Sequence, residues 1–187
     1  MFIIILILVL TGNIKVFDNT IYTFIISFRC NSLDNFFKAI TIFGNIFPVI
    51  LIVIIIFFKL TKSDKMLLIE NTLLTVVINQ LIKYIIKRPR PDHLRLIRQG
   101  GYSFPSGHSM ISVALYGFLI YIINRNIKDK KLRLFFNIFF IFLIISIGIS
   151  RIYLGVHYPS DVLGGYFLSI IILIFNIKFY NKYFRGN

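Results

Sequence analysis

Two histidines, one aspartate and a set of cations are the residues of this chain with most chemistry to offer, and their spacing groups them. His157 and Asp161 are four apart, so a helix beginning near Pro159 would put both on one face, the carboxylate holding one ring nitrogen and leaving the other free. Such a pair is a nucleophile or base with its orienter. Ser150 and Arg151 stand shortly upstream. Pro105, Ser106, Gly107 and His108 form a turn at the head of an apolar segment. A helix starting there offers free backbone N–H groups and a positive dipole end, both suited to an anion, and Ser106 can cap it and lend its hydroxyl. Lys83 and Arg90 flank the end of another apolar segment, where Pro89 and Pro91 stop a helix and stiffen its exit. Each piece has a plain structural reading: snorkelling cations, a capping turn, a surface histidine beside an aspartate. Together, Lys83, Arg90, Arg151 and the Ser106–Gly107 turn make an anion cradle, and with His108, His157 and Asp161 they form the parts for phosphoryl transfer.

The elements that must hold these residues are apolar. Of 187 residues 57% are hydrophobic, and the mean hydropathy is +0.83, against about 45–50% apolar in ordinary globular domains. The composition is that of an all-α integral membrane protein. No Gly/Ser or Pro-rich linker and no fixed-period repeat divides it, so residues 1–187 read as a single membrane-embedded domain. Six candidate spans emerge: 1–14, which is short, 39–58, 66–86, 109–124, 134–150 and 162–177. The first lacks the basic start and cleavage site of a signal peptide and reads as a retained anchor. Residues 15–38 read as an external loop. Cys30 is the one cysteine, so no intrachain disulfide can form, and it reads as a small buried hydrophobe.

The 21 Lys and Arg outnumber the 7 Asp and Glu. In a soluble chain that excess would suggest nucleic acid, but here the cations sit between apolar runs and point to membrane topology and anionic head groups, with no nucleic-acid partner. Lys59, Lys62 and Lys65, then Arg125, Lys128, Lys130, Lys131 and Arg133, then Lys178, Lys182 and Arg185, fall on one face of a six-helix bundle, the cytoplasmic one, along with both termini. Segments 15–38, 87–108 and 150–161 converge on the other face. That face retains Lys87, Arg88, Arg90, Arg95, Arg98 and Arg151 against the sorting preference, which marks a functional site.

These segments resemble a known family. KYIIKRPRP (Lys83–Pro91), PSGH (Pro105–His108) and SRIYLGVHYPSD (Ser150–Asp161) match, without substitution at a signature position, the K-x6-R-P, P-S-G-H and S-R-x5-H-x3-D motifs of the type 2 phosphatidic acid phosphatase superfamily. That superfamily holds membrane lipid phosphate phosphatases, class A acid phosphatases and vanadium haloperoxidases. The resemblance to its membrane branch runs over the whole chain, the short first span being the departure. It implies a six-transmembrane-helix bundle, whose active site the charge pattern places at the extracytoplasmic face of a bacterial plasma membrane, and a two-step reaction. His157 would attack phosphorus to give a phosphohistidine, Asp161 would fix its tautomer, and His108 would protonate the leaving oxygen before water releases phosphate. Lys83, Arg90, Ser106, Gly107 and Arg151 would bind the non-bridging oxygens.

No metal or other cofactor is expected, since few carboxylates accompany the motifs and the cations supply the positive charge. The expected substrate is a lipid phosphate: by resemblance to small bacterial members a polyprenyl diphosphate such as undecaprenyl diphosphate, with phosphatidylglycerophosphate, phosphatidic acid and diacylglycerol diphosphate close behind. The motifs bind the phosphate all of these share. A lipid phosphotransferase using the same site, and a non-catalytic protein that binds anionic lipid through its basic face, are the competing functions. A haloperoxidase is disfavoured by the lack of a large soluble domain. Asp92 and His93 read as a solvated loop pair, Arg95 and Arg98 as a solvated edge, Glu70 and Asn71 as polar ties between helices, and Gly164–Gly165 as a close helix contact.

Overall fold

A computed structural model describes residues 1–92 and 94–183; His93 and Arg185, both considered above, lie outside the described residues. Among the described residues every regular element is helical. The first four helices come as two bent pairs: α1 (Phe2–Leu10) with α2 (Lys15–Ser27), turned by 101°, and α3 (Asn31–Ile42) with α4 (Ile46–Phe57), turned by 50°. Four straight units follow, each long and apolar enough to cross a bilayer. They are α5 (Lys62–Ile86), the run Gly107–Asn126, α8 (Lys130–Tyr153) and α9 (Pro159–Tyr183). The Gly107–Asn126 run joins α6 (Gly107–Ser112) to α7 (Phe118–Asn126) through a π-helical turn, Val113–Gly117.

Local chemistry sets several of these boundaries. Thr61 caps α5 by accepting the Asp64 N–H, and Asp129 caps α8 by accepting the N–H groups of Lys131 and Leu132 at 2.8 and 2.9 Å. Helix α5 ends at Ile86 because Lys87 adopts the left-handed conformation, φ 49°, and Pro89 follows. Outward faces carry a belt of exposed Phe and Ile, among them Phe135, Ile138, Phe142 and Ile145 on α8, as lipid contact requires.

Between the helices the contacts are partly polar. Asn71 donates to the Ala114 carbonyl at 3.0 Å, inside the π-helical turn, and accepts from Asn176 at 3.2 Å. Ser169 donates to the Met110 carbonyl at 2.8 Å, and Tyr180 donates to Glu70 at 2.6 Å. Glu70 and Asn71 are thus ties from α5 to the facing helices, as expected. The Asn71 bond also satisfies a carbonyl in the turn where the α-helical pattern is interrupted. Gly164 and Gly165 are close-contact glycines: a Cβ on Gly164 would lie 2.6 Å from Phe104, and one on Gly165 2.9 Å from the Ser106 carbonyl oxygen. They let α9 lie directly against the Ser103–Gly107 segment, and so position the site.

Three expectations are corrected. Residues 15–38 are mostly helix, not loop: α2 and the start of α3 occupy them, and polar residues at 15, 18, 19, 29, 31 and 34 had broken the hydropathy signal. The span expected over 39–58 is really α3 and α4, broken at Phe43–Asn45, with α3 beginning at Asn31. Cys30 is exposed rather than buried, because it stands at the turn where α2 gives way to α3.

Candidate active site

Helix ends gather at one end of the bundle. Helix α5 finishes there, α6 and α9 begin there, and α8 delivers Ser150 and Arg151 in its last turn. They surround a cleft of about 250 Å³ whose lining includes Lys83, Arg90, Gly107, His108 and His157. Asp161, Arg151 and Ser106 lie behind these walls, each no more than 1% exposed.

His157 is held from both sides. Its Nδ1 faces Asp161 Oδ2 at 3.3 Å, and its Nε2 faces Arg90 Nη1 at 2.9 Å. A guanidinium only donates, so Nε2 must carry a lone pair; the proton of the neutral ring therefore sits on Nδ1, toward the carboxylate. Burial lowers the His157 pKa to about 3; Asp161 opposes this, and the nearby charges of Arg90 and Lys83 add to it. The ring is consequently neutral, with Nε2 unprotonated, across the physiological range. In 15N-histidine-labelled protein the His157 ring is expected to remain in the neutral Nδ1–H form at pH 5.5; an imidazolium signal at that pH would contradict this geometry.

Asp161 is saturated. Its Oδ2 accepts from the Tyr158 N–H at 2.8 Å and from the Ser103 hydroxyl, and its Oδ1 accepts from Arg88 Nη1 at 2.7 Å. The start of α9 at Pro159 places it one turn beyond His157, as the spacing of four requires.

The cations are preorganised by carbonyls rather than by counter-ions. Arg90 donates to the carbonyls of Val156 at 2.8 Å, Gly101 at 3.0 Å and Gly100 at 3.2 Å, and Lys83 donates to that of Tyr102 at 2.6 Å. Burial lowers the Arg90 pKa to about 10, which leaves it charged at neutral pH. Arg151 donates through Nη1 to Thr41 at 2.6 Å and through Nη2 to Gln99 at 2.9 Å, while its buried Nε has no partner among the described residues. Positive charge held by neutral acceptors is available to an incoming anion.

At the opening of α6, Ser106 accepts from the Ser109 N–H at 3.4 Å and from the Ser109 hydroxyl at 2.9 Å. Its hydroxyl is a helix cap in this structure, and Gly107 is the member of the turn that lines the cleft. His108 Nε2 lies 2.7 Å from Asn45 Oδ1. Asn45 occupies the N-cap position of α4 yet makes no side-chain cap bond there; its amide serves His108 instead.

Sequence reasoning missed Asp18, Thr41, Asn45, Arg88, Gln99 and Ser103. Ser103 and Gln99 lie in the polar window before the P-S-G-H turn and Arg88 lies inside the first motif, so proximity was a usable signal for these three. Asp18, Thr41 and Asn45 come from the first four helices, far from any motif. Of the remaining cations, Lys87 and Arg98 are exposed, and Arg95 pairs with the exposed Asp92 at 2.8 Å, as a solvated edge should.

Apolar, outward-facing helices around a buried histidine, carboxylate and cation cluster define an integral membrane protein with a polar, cation-lined cleft at one end of its bundle. The chain belongs to the PAP2 superfamily, whose sequence profile matches residues 64–185. It is 37% identical over 112 residues to phosphatidylglycerophosphatase B of Bacillus subtilis (strain 168), covering 57% of this chain and 52% of that protein. It is 30% identical over 147 residues to undecaprenyl-diphosphatase BcrC of the same organism, covering 75% of this chain and 71% of that protein. The match to phosphatidylglycerophosphatase B therefore spans about half of that relative's length. Among solved structures, the fold is similar to that of a transmembrane PAP2 type phosphatidylglycerolphosphate phosphatase from Bacillus subtilis. The TM-score is 0.88 at 28% identity, over 100% of this chain and 96% of that one. Aquifex aeolicus LpxE gives a TM-score of 0.75 at 26% identity, over 87% and 95%.

Proposed function

We propose that this protein is a membrane lipid phosphate phosphatase working through a phosphohistidine. The observation that carries the reading is the state of His157: a neutral ring, its Nδ1–H on Asp161 and its Nε2 lone pair turned toward a cationic cradle. Nε2 attacks phosphorus, the bond from phosphorus to the leaving oxygen breaks, and His108 supplies that oxygen with a proton. Asp161 stabilises the positive charge that develops on the His157 ring, and water then attacks the phosphohistidine and releases orthophosphate. Lys83, Arg90, the Gly107 N–H and Arg151, with the Ser106 cap behind them, stabilise the charge on the transferring group.

The substrate in this reading is a phosphomonoester or diphosphate lipid, with undecaprenyl diphosphate first and phosphatidylglycerophosphate or phosphatidic acid next. The names of the relatives support both classes. An apolar groove of about 190 Å³ continues from the cleft, sharing Asn79, Gln80, Gly107 and His108 with it and adding Gly44, Ile46, Val76 and Ile111. It suits a hydrocarbon chain whose head group reaches the cradle. Helix α2 stays at the site end, where Asp18 reaches Arg88 and Ser160 and Arg29 reaches the Tyr153 and Leu94 carbonyls, so α1 makes the crossing of the first bent pair. With one crossing from each bent pair the spans number six, with the cation-rich connections and both termini toward the cytoplasm and the site on the extracytoplasmic face of the plasma membrane.

The cradle does the electrostatic work that metal ions do elsewhere, and the site carboxylate is already saturated by protein donors. Purified protein is expected to release orthophosphate from at least one of these lipids at an undiminished rate in EDTA. Loss in EDTA with recovery on adding Mg²⁺ would refute the mechanism. Transfer of the phosphoryl group to a second lipid without orthophosphate would identify a phosphotransferase, and binding without turnover an anionic-lipid-binding protein.

A further inference from the structure

Asp18 lies in α2, outside the residues matched by the family profile, and is 1% exposed. A buried carboxylate there needs an explanation, because an unpaired one would be too costly to keep. Its Oδ2 accepts from Arg88 Nη2 at 2.6 Å and from the Ser160 hydroxyl at 2.7 Å, and its Oδ1 accepts from the Ser160 N–H at 2.9 Å. Arg88 spans the gap to the active site, since its other terminal nitrogen, Nη1, donates to Asp161 Oδ1 and to the Ser160 hydroxyl, both at 2.7 Å. An unbroken chain of charge-assisted bonds therefore runs from Asp18 through Arg88 and Asp161 to His157.

The order of charges in that chain has a consequence. Arg88 alone would neutralise Asp161 and pull its electron density away from the imidazole. A second carboxylate on the far side of the guanidinium restores one net negative charge to the group behind His157. It also fixes the fork, so that Nη1 engages Oδ1 and leaves Oδ2 for Nδ1 of the ring.

We infer that Asp18 is a positioning residue for this site: acting through Arg88, it holds Asp161 in register with His157 and keeps negative charge behind the imidazole as phosphorus is attacked. The inference rests on His157 being the nucleophile of the proposed phosphatase. It also means that the first helix pair, outside the profile-matched segment, is part of the working active site.

Asp18→Asn keeps the shape and removes the charge. Measured on purified, folded protein in detergent, its kcat is expected to fall about 10- to 100-fold, by analogy with the loss of outer-shell partners of metal-ligating histidines. KM should stay within about twofold of wild type because the cradle is untouched. Active sites are counted by the phosphoenzyme burst, so that unfolded protein does not enter kcat. Arg88→Lys, which keeps a charge but loses the fork, should lose at least as much, and the double variant should be no worse than the weaker single one. If Asp18→Asn does not fold, Arg88→Lys carries the same kcat-against-KM test. An unchanged kcat per active site, or a rise in KM alone, would overturn the role of Asp18. Turnover by His157→Ala protein would instead overturn the reading of the site on which it rests.

Discussion

Replacing His157 with Ala is expected to lower kcat for orthophosphate release by about 10⁴-fold or more, the scale on which enzymes lose rate when a covalent nucleophile is removed. Binding of the lipid phosphate should persist. Arg90 keeps its bonds to the carbonyls of Val156, Gly100 and Gly101, Lys83 keeps its bond to Tyr102, and Arg151 keeps Thr41 and Gln99. The substitution is also readable, because it does not orphan a buried charge. Asp161 loses one of its donors but retains Arg88, the Tyr158 N–H and the Ser103 hydroxyl, so the fold is expected to survive. Wild-type enzyme incubated with phosphate-labelled lipid and quenched in alkaline detergent should carry an alkali-stable, acid-labile label on the protein, and the variant none. Turnover above a tenth of wild type, or an equally labelled variant, would remove His157 from the role of nucleophile.

How much of this was legible in the sequence depends on how locally each feature is encoded. The His157–Asp161 pair was fully legible, because its spacing and Pro159 specify both the helix start and the shared face. The P-S-G-H turn was legible for the same reason, its proline, serine and glycine being a complete local instruction for a helix N-terminus. The last four spans were plain from hydropathy. The first four helices were not, since Asp18 and Arg29 read as loop residues until their partners are known. Arg88 and Ser160 lie 70 and 142 positions from Asp18, and the Tyr153 and Leu94 carbonyls that Arg29 engages are equally remote in sequence. Arg88 itself was visible only as one of several surplus cations, and nothing in composition separates it from Lys87, which is exposed beside it. Asn45 was hidden differently: it lies inside a stretch apolar enough to read as a continuous span, and only the break at Phe43–Asn45 turns its amide toward His108. Polar residues inside apolar segments carry function more often than their number suggests.

His108→Ala should separate the lipid substrates as well as test the acid. Loss of a positioned general acid costs about 10²–10⁴-fold, but only where the leaving group needs the proton. With phosphatidic acid or phosphatidylglycerophosphate the leaving group is an alcohol, which cannot depart readily as a bare alkoxide, so the full loss is expected. With a nitrophenyl phosphate the leaving group departs as a stable anion, and phosphoenzyme formation should be nearly as fast as in wild type. Undecaprenyl diphosphate falls on the nitrophenyl side, because its leaving group is a phosphate monoester whose charge is spread over several oxygens. The ring is well placed for this work: it lines the cleft, its Nε2 is engaged by Asn45 at 2.7 Å, and a Cβ on Gly44 would lie 2.9 Å from its Cδ2, so its orientation is set by contacts on two sides. Burst rates measured for the variant on a glycerolipid phosphate, a polyprenyl diphosphate and an aryl phosphate should therefore rank by leaving-group stability. An equal loss on all three would mean that His108 stabilises the transferring phosphoryl group instead of protonating the oxygen that leaves.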